Sequence, residues 1–152
     1  MLYTMDYKVK IIGSLLVLVV IIYGLNYIVF AGPKQYNNIT VTEFYEKSKL
    51  DKGIFLLDVR SPDEYREMHV PATSRLIPVE ELKGRINELK GLENNEIYVI
   101  CRSGRRSRKA SKILSENGFK KVFNIKGGIL EYKKMNYPIE EGGVIPITRK
   151  EK

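Results

Sequence analysis

The sequence predicts an α/β domain built on a mostly parallel sheet, and three features support that fold class. Short apolar segments alternate along the chain with longer segments of helical character. The segments Ile54–Leu57 and Ile97–Ile100 are apolar or aromatic at every position, as expected of strands covered on both faces. Residues that start and stop helices, such as Ser61-Pro62 and Gly118, lie between these segments. Strands and helices that alternate in this order form parallel sheets covered by helices.

The first half of the domain is predicted to alternate between strands and helices. Ser61 is a strong N-cap, because Pro62 occupies the first helical position and Glu64 completes a capping box. Apolar residues between Val79 and Leu89 recur at helical spacing. The predicted strands are 39–41, 54–57 and 75–77, and the predicted helices run from a Thr42 cap to about Lys49, from Ser61, and over 79–89.

The second half continues the same alternation. Ala110, Ile113 and Leu114 share one face of a predicted helix over 106–117, which Gly118 ends. The other predicted elements are strands at 97–100 and 122–125 and a helix from Gly127-Gly128 to about Lys134. In such folds ligands bind at the carboxyl ends of the strands. The residues expected to share that edge are Asp58, Arg60, Cys101 and Lys126.

An uncharged apolar segment over residues 11–31 predicts a transmembrane helix. Its 21 residues would rise about 31 Å as a helix, and a bilayer core is about 30 Å thick. A cleaved signal peptide ending at Val29-Phe30-Ala31 is the alternative, although a signal peptide's apolar segment is usually only about 7–15 residues long. Lys8 and Lys10 precede the segment and Lys34 follows it, which favours a domain outside the cytoplasm. We therefore predict a single-pass membrane protein that contacts lipid.

This division of the chain predicts five regions. They are a short tail over 1–10, the membrane helix over 11–31, a linker over 32–38, the α/β domain over 39–140 and a flexible tail over 141–152.

Composition argues against several functional classes. The chain of 152 residues has a net charge of +8, one cysteine and one histidine. A single cysteine cannot form an intramolecular disulfide. One cysteine and one histidine also argue against a structural zinc site, so we expect no metal and no cofactor. Much of the positive charge lies just after Cys101 and there is no nucleic-acid-binding motif, so nucleic acid is not an expected partner.

Cys101 ends an apolar strand and begins the basic segment Cys101-Arg102-Ser103-Gly104-Arg105-Arg106-Ser107. A strand, a tight loop and a helix N-terminus together direct backbone N–H groups and partial positive charge at an anion. These surroundings favour the thiolate, which is the nucleophilic form of cysteine. The alternative is a free cysteine packed as a small hydrophobe. The charged residues that follow Cys101 favour a nucleophile in an anion-binding pocket.

Several ordered motifs resemble the rhodanese-like sulfurtransferase domain over roughly residues 39–140. The motifs are Leu57-Asp58-Val59-Arg60-Ser61-Pro62-Asp63-Glu64-Tyr65, His69-Val70-Pro71-Ala72, the segment from Cys101 to Ser107, Gly118-Phe119 and Gly127-Gly128. The resemblance implies a central, mainly parallel five-stranded sheet flanked by helices. It also implies an enzyme of the thiosulfate sulfurtransferase type. In such an enzyme Cys101 takes sulfane sulfur from a small anionic donor such as thiosulfate. The resulting persulfide passes its sulfur to cyanide or to a thiol, which a protein can supply.

The resemblance also implies roles for individual residues. Cys101 is the persulfide-forming nucleophile, and the donor-binding residues are Arg102, Ser103, Gly104, Arg105, Arg106 and Ser107. Asp58 and Arg60 are expected to support this edge through ion pairs, with a direct catalytic role as the alternative. His69 is expected to brace a turn, and a Cys–His dyad is the alternative.

The chain departs from the family pattern at a few positions. Ala72 and Thr73 stand where the family usually has Gly and Ala, and Tyr132 stands where many members have Trp. These differences are expected to affect packing and not chemistry.

Two other functions compete with sulfur transfer. A phosphatase or arsenate reductase of related fold needs Cys-x5-Arg, whereas here Ser107 occupies the sixth position and Arg106 gives Cys-x4-Arg. A non-catalytic docking or sulfur-sensing module at the membrane is the second competitor. The retained cysteine and its complete basic loop favour the enzyme.

Overall fold

The computed structural model describes residues 12–23, 36–51 and 53–146. The chain divides into two compact units, Met1–Pro33 and Lys34–Lys152. In the first unit, residues 12–23 form a helix whose large apolar side chains are exposed. The predicted linker over 32–38 and tail over 141–152 fall partly outside the described residues and stay predictions.

The predicted transmembrane helix over 11–31 needs correction. Of the predicted span, residues 12–23 lie within the described part of the chain and are helical. Within the described ranges, no helix combines the length and apolar character that crossing a membrane requires. The remainder of the predicted span, residue 11 and residues 24–31 with the alternative cleavage site, lies outside the described residues. The predicted single-pass membrane location is contradicted by this finding, and the predicted orientation and lipid contact lose their basis.

A five-stranded sheet forms the centre of the second unit, with the strand order β1-β5-β4-β2-β3. Every neighbouring pair of strands is parallel, which confirms the predicted α/β class and the strand number implied by the family resemblance. The strands are β1 (Asn37–Ile39), β2 (Phe55–Asp58), β3 (Thr73–Leu76), β4 (Glu96–Ile100) and β5 (Lys121–Ile125). The helices of this unit are α1 (Val41–Leu50), α2 (Pro62–Glu67), α3 (Arg105–Glu116) and α4 (Gly128–Lys134).

Capping boxes start the first two helices. The Thr40 hydroxyl accepts the N–H of Glu43 at 3.1 Å, and the Glu43 carboxylate accepts the N–H of Thr40 at 2.8 Å. The predicted Thr42 cap and the predicted strand over 39–41 were therefore wrong, because the strand ends at Ile39 and Thr40 caps α1 itself. The predicted box of Ser61 and Glu64 is confirmed at the start of α2.

The predicted helix over 79–89 was also wrong. This segment forms a series of turns and then a short 3-10 helix, Ile86–Leu89. Its backbone bonds span three residues in several places, as from the Glu81 N–H to the Pro78 carbonyl and from the Gly84 N–H to the Glu81 carbonyl. Val79, Leu82 and Leu89 are still buried, because consecutive turns direct the same side chains toward the core.

The core lies in two layers, one on each face of the sheet. Ile97 and Val99 of β4 pack on the face covered by α3, whereas Tyr98 and Ile100 pack on the face covered by α1 and α4. Because side chains alternate along a strand, the next residue, Cys101, belongs to the α3 face and lies among its apolar side chains. Burial on both faces explains why β4 is almost wholly apolar.

Two departures from the family pattern have packing roles. Thr73 begins β3, and its hydroxyl donates to the Val70 carbonyl at 2.7 Å. Tyr132 is buried on α4, where its ring packs against Phe44, Tyr45 and Tyr137. Both observations agree with the expectation that these differences affect packing.

Candidate active site

Cys101 lies at the carboxyl end of β4, directly before the loop that leads into α3. Only 1% of the residue is exposed. Its Sγ accepts a hydrogen bond from the Gly104 N–H at 3.1 Å. Gly104 has a φ of 90°, a left-handed conformation that bends the loop back over the sulfur. The first N–H groups of α3 follow at once and have no carbonyl partners within the helix.

The start of α4 holds the other side of this loop. The Ile129 N–H donates to the Cys101 carbonyl at 2.9 Å, and the Leu130 N–H donates to the Arg102 carbonyl at 3.2 Å. Gly128 makes this approach possible, because its φ is 59° and a Cβ there would collide with the Cys101 and Arg102 carbonyls. The sequence identified Gly127-Gly128 only as a motif, and the structure shows its contact with the cysteine loop.

A chain of polar side chains runs from the buried sulfur, through buried Ser107 and Asn124, to exposed Asn38 on β1. The Cys101 Sγ and the Ser107 Oγ are 3.4 Å apart. The Ser107 hydroxyl donates to the Asn124 Oδ1 at 2.6 Å, and the Asn124 Nδ2 donates to the Asn38 Oδ1 at 2.8 Å. Sequence reasoning missed both asparagines. The available signal was Asn124 itself, a polar amide within the otherwise apolar C-terminal part of β5.

Arg106 forms an ion pair with Glu64 of α2, so its guanidinium group is already engaged. Its two terminal nitrogens lie 2.6 Å from the two carboxylate oxygens of Glu64. The hydrogen bond from Arg106 is the main reason that the pKa of Glu64 falls to about 2. The same bond raises the pKa of Arg106, which also interacts electrostatically with Cys101. The sequence assigned Glu64 only to helix capping, and the structure shows that it serves both purposes.

Arg102 and Arg105 are the free cations of the loop. Both are exposed, and neither forms an ion pair with any other residue that the structure describes. They border an open pocket of about 410 Å³. The lining residues are Glu64, Arg102, Ser103, Arg105 and Arg106. A small anion in this pocket would therefore meet two unpaired guanidinium groups.

Asp58 and Arg60 form a buried ion pair beside the loop. The Arg60 Nε lies 3.0 Å and 2.9 Å from the two Asp58 oxygens, and Arg60 is only 1% exposed. The guanidinium also donates to the main-chain carbonyls of Glu64 at 3.1 Å and Met68 at 2.8 Å. These contacts tie the end of β2 to α2, which is what a supporting role requires.

His69 contacts Tyr65 and Glu140. Its ring stacks on Tyr65 with centroids 4.2 Å apart, and its Nδ1 lies 3.2 Å from the Tyr65 carbonyl. Its Nε2 lies 3.3 Å from the Glu140 carboxylate, and the two backbones form an isolated antiparallel bridge. These contacts brace the segment after α2, and none of them joins His69 to Cys101.

Within the described ranges, no group of three or more His, Cys, Asp or Glu residues is placed to hold a metal ion. The thiol, the amides of its loop and the arginines lie at this edge of the sheet.

Comparison with known proteins agrees with this arrangement. The sequence profile of the rhodanese-like domain matches residues 40–135. The chain is 42% identical over 94 residues to the Bacillus subtilis protein named "Putative sulfur carrier protein YrkF", a match that covers 62% of this chain and 49% of that protein. It is 33% identical over 113 residues to thiosulfate sulfurtransferase 18 of Arabidopsis thaliana, covering 66% of this chain and 82% of that one.

A solved structure has the same fold. The rhodanese-related protein from Thermoplasma volcanium superposes with a TM-score of 0.61 at 30% identity and covers 69% of this chain and 98% of its own. The Bacillus relative is the longer protein, and this chain spans about half of its length.

Proposed function

Because the chain belongs to the rhodanese-like domain family, we propose that it is a sulfurtransferase in which Cys101 carries sulfane sulfur as a persulfide. The observation that carries the proposal is the position of the thiol. The Sγ lies at a strand end and accepts the Gly104 N–H, and the N-terminus of α3 follows directly. Relatives named thiosulfate sulfurtransferase and sulfur carrier protein support this chemistry.

The proposed reaction has two half-reactions. With thiosulfate as donor, the Cys101 thiolate attacks the outer sulfur, a new S–S bond forms, and the S–S bond to the sulfonate group breaks. Sulfite leaves with the electron pair. In the second half, cyanide or a thiolate attacks the terminal sulfur of the persulfide. The Cys101 thiolate is then released, and the acceptor leaves as thiocyanate or as a new persulfide. This is covalent catalysis by an activated thiol.

The loop stabilises the negative charge of the Cys101 thiolate and of the Cys101 persulfide. The Gly104 N–H and the N-terminus of α3 act on charge at the sulfur. Arg102 and Arg105 attract the anionic donor, because their guanidinium groups are exposed and unpaired within the described part of the chain. Arg106, fixed by Glu64, contributes positive potential from a constant position.

A phosphatase is the less favoured function. A phosphatase needs an arginine that closes around a tetrahedral oxyanion, and here the nearest arginine at suitable spacing, Arg106, is bound by both oxygens of Glu64. The loop is also one residue shorter than Cys-x5-Arg. A docking or sulfur-sensing module is the second alternative, and it predicts that Cys101 does not take up sulfur from small donors.

The test uses the full chain and its single cysteine. The protein is incubated with thiosulfate, its intact mass is measured, and cyanide is then added. We expect a gain of one sulfur atom on Cys101, and cyanide should release it as thiocyanate. The C101S variant should fold and gain no sulfur. A folded wild-type protein with a free thiol that gains no sulfur would favour the docking module, and hydrolysis of a phosphate ester would favour the phosphatase.

A further inference from the structure

We propose that Asn124 and Asn38 are positioning residues that set the direction of a hydrogen-bond chain ending on Cys101. The inference deepens the proposed function, because it concerns the same thiol. The chain has four members in sequence, and each neighbouring pair is within hydrogen-bond distance. The four members are Cys101, Ser107, Asn124 and Asn38.

The direction of the chain is fixed when the cysteine is a neutral thiol. The Cys101 S–H donates to the Ser107 oxygen, and the single Ser107 O–H proton goes to the Asn124 carbonyl. The Asn124 NH2 group then donates to the Asn38 carbonyl. In this direction every donor of the chain from Cys101 to Asn38 points away from the sulfur, so the Ser107 hydroxyl donates nothing to it.

A thiolate requires the opposite direction. It has no proton to donate, so the Ser107 hydroxyl must turn and donate to the sulfur. The Asn124 carbonyl then loses its donor. Reversing the Asn124 amide presents its NH2 group to the Ser107 oxygen, and reversing the Asn38 amide returns a donor to the Asn124 carbonyl. Amide side chains can satisfy both directions because each carries a donor and an acceptor.

Burial makes this requirement strict. Ser107 and Asn124 are both fully buried, and a buried polar group without a partner costs about 1–3 kcal/mol. Water therefore cannot replace a missing donor between them. Asn38 lies at the exposed end of the chain, where a substitution can fix the direction of the hydrogen bonds without opening the core.

The charged groups near the sulfur lie on different elements. Arg106 of α3 interacts with the thiol and is itself paired with Glu64 of α2. Arg102 and Arg105 belong to the loop and the start of α3, and Lys126 follows β5. Cys101 also belongs to the apolar cluster on the α3 face of the sheet. None of these charges is changed by the substitutions below, so a change in thiol reactivity reports on the hydrogen-bond chain.

The test uses a carboxylate, which accepts hydrogen bonds and cannot donate them when ionised. In the N38D variant, the introduced carboxylate fixes the Asn124 NH2 group as a donor away from the sulfur, so the chain keeps the direction that suits the thiol. The matched control is N37D, which adds the same charge one residue away on the opposite face of β1. Cys101 is the only cysteine, so iodoacetamide labelling reports on it alone.

We expect N38D to be alkylated about threefold more slowly than N37D at neutral pH, with its pH profile displaced upward by about half a unit. In the S107A background the hydrogen-bond link is absent, and N38D and N37D should then react at equal rates. Equal rates in the wild-type background, or a difference that persists with S107A, would overturn the proposal. Alkylation needs no sulfur transfer. A protein that shows the expected difference and takes no sulfur from thiosulfate would therefore disprove the proposed function and leave this inference intact.

Discussion

Arg106 and Glu64 are joined by a bidentate ion pair that links α3 to α2 across 42 positions of sequence, with both nitrogen–oxygen distances at 2.6 Å. The pair lines the same pocket as Arg102 and Arg105 and is only partly exposed. Glu64 also caps α2 through the Ser61 N–H. One carboxylate thus fixes both a helix start and the position of a cation near the thiol.

The pH dependence of stability should change in the E64Q variant. The folded pKa of Glu64 is about 2, and an unfolded glutamate titrates near 4.3. Because the folded pKa is depressed, the stabilising contribution is complete above about pH 4.5 and is lost as the pH falls toward 2. We expect E64Q to be less stable than wild type by about 1–2 kcal/mol at pH 6, after allowance for partial exposure. The difference should shrink at pH 3.

Urea denaturation at both pH values measures this difference. The control is E67Q on the same helix, because Glu67 is exposed and forms no ion pair with another described residue. A difference between E64Q and wild type that is equal at pH 6 and pH 3 would contradict the ionic contribution of Glu64.

Donor binding should depend on the free arginines of the loop. Replacing Arg102 and Arg105 together by alanine removes both unpaired guanidinium groups from the pocket. We expect the KM for thiosulfate to rise about tenfold or more at low salt, since each charged hydrogen bond contributes about 1.5–3 kcal/mol. The cyanide step should change less. The control is R108A, on an exposed face of α3 outside the pocket.

Steady-state kinetics at low and high salt test this prediction. The effect of the double substitution should decrease as salt rises, because exposed charges are screened. If R108A raises the KM as much as the double substitution does, general surface charge and not the pocket attracts the donor.

The sequence was sufficient for the α/β class with its parallel sheet and for the strand end that carries Cys101. Uniformly apolar strands, a capping box at Ser61 and the segment after Cys101 each carry local information, and the fold agrees with all three. It was insufficient wherever two segments distant in sequence meet. The Arg106–Glu64 pair and the Ser107–Asn124 bond join residues 42 and 17 positions apart, and no local pattern records such contacts.

Two predictions about single segments were wrong for a different reason. Thr40 and Thr42 are both acceptable helix caps, and only the pairing of β1 with β5 shows that the strand ends at Ile39. Between Val79 and Leu89, the helical spacing of apolar residues reflects burial and not helix formation, because successive turns bury the same positions. The spacing of apolar residues alone does not distinguish a helix from a series of buried turns.

The buried ion pair of Asp58 and Arg60 should be important for stability. In D58N, the Arg60 guanidinium keeps its charge inside the protein and loses its carboxylate partner. Removing one partner of a buried ion pair lowers the free energy of unfolding by about 3–5 kcal/mol. The control is D63N, since Asp63 pairs with Arg66 at the surface, where such pairs contribute about 0–1 kcal/mol.

Urea denaturation of both variants measures the two costs. We expect D58N to be destabilised by the full cost of the buried pair and D63N to resemble wild type. The fraction of folded D58N that takes up sulfur should be unchanged, because the contacts of Arg60 are to α2 and not to the sulfur. Equal stability of D58N and D63N would contradict the structural role.

Gly128, the first residue of α4, should not tolerate a side chain. An alanine Cβ there would collide with the Cys101 and Arg102 carbonyls, and the residue already has a left-handed φ of 59°. The backbone conformation alone costs about 1–2 kcal/mol for alanine, and the collision adds about 1–3 kcal/mol. We therefore expect urea denaturation to show G128A destabilised by the sum of both effects.

A matched control separates the collision from the backbone conformation. Gly91 has a φ of 89° and open space around its Cβ position, so G91A should lose only the conformational part and keep wild-type sulfur uptake. G128A should be less stable than G91A and should load sulfur more slowly even when folded, since the Ile129 and Leu130 hydrogen bonds to the loop are displaced. Equal stability and equal loading of the two variants would show that α4 does not shape the cysteine loop.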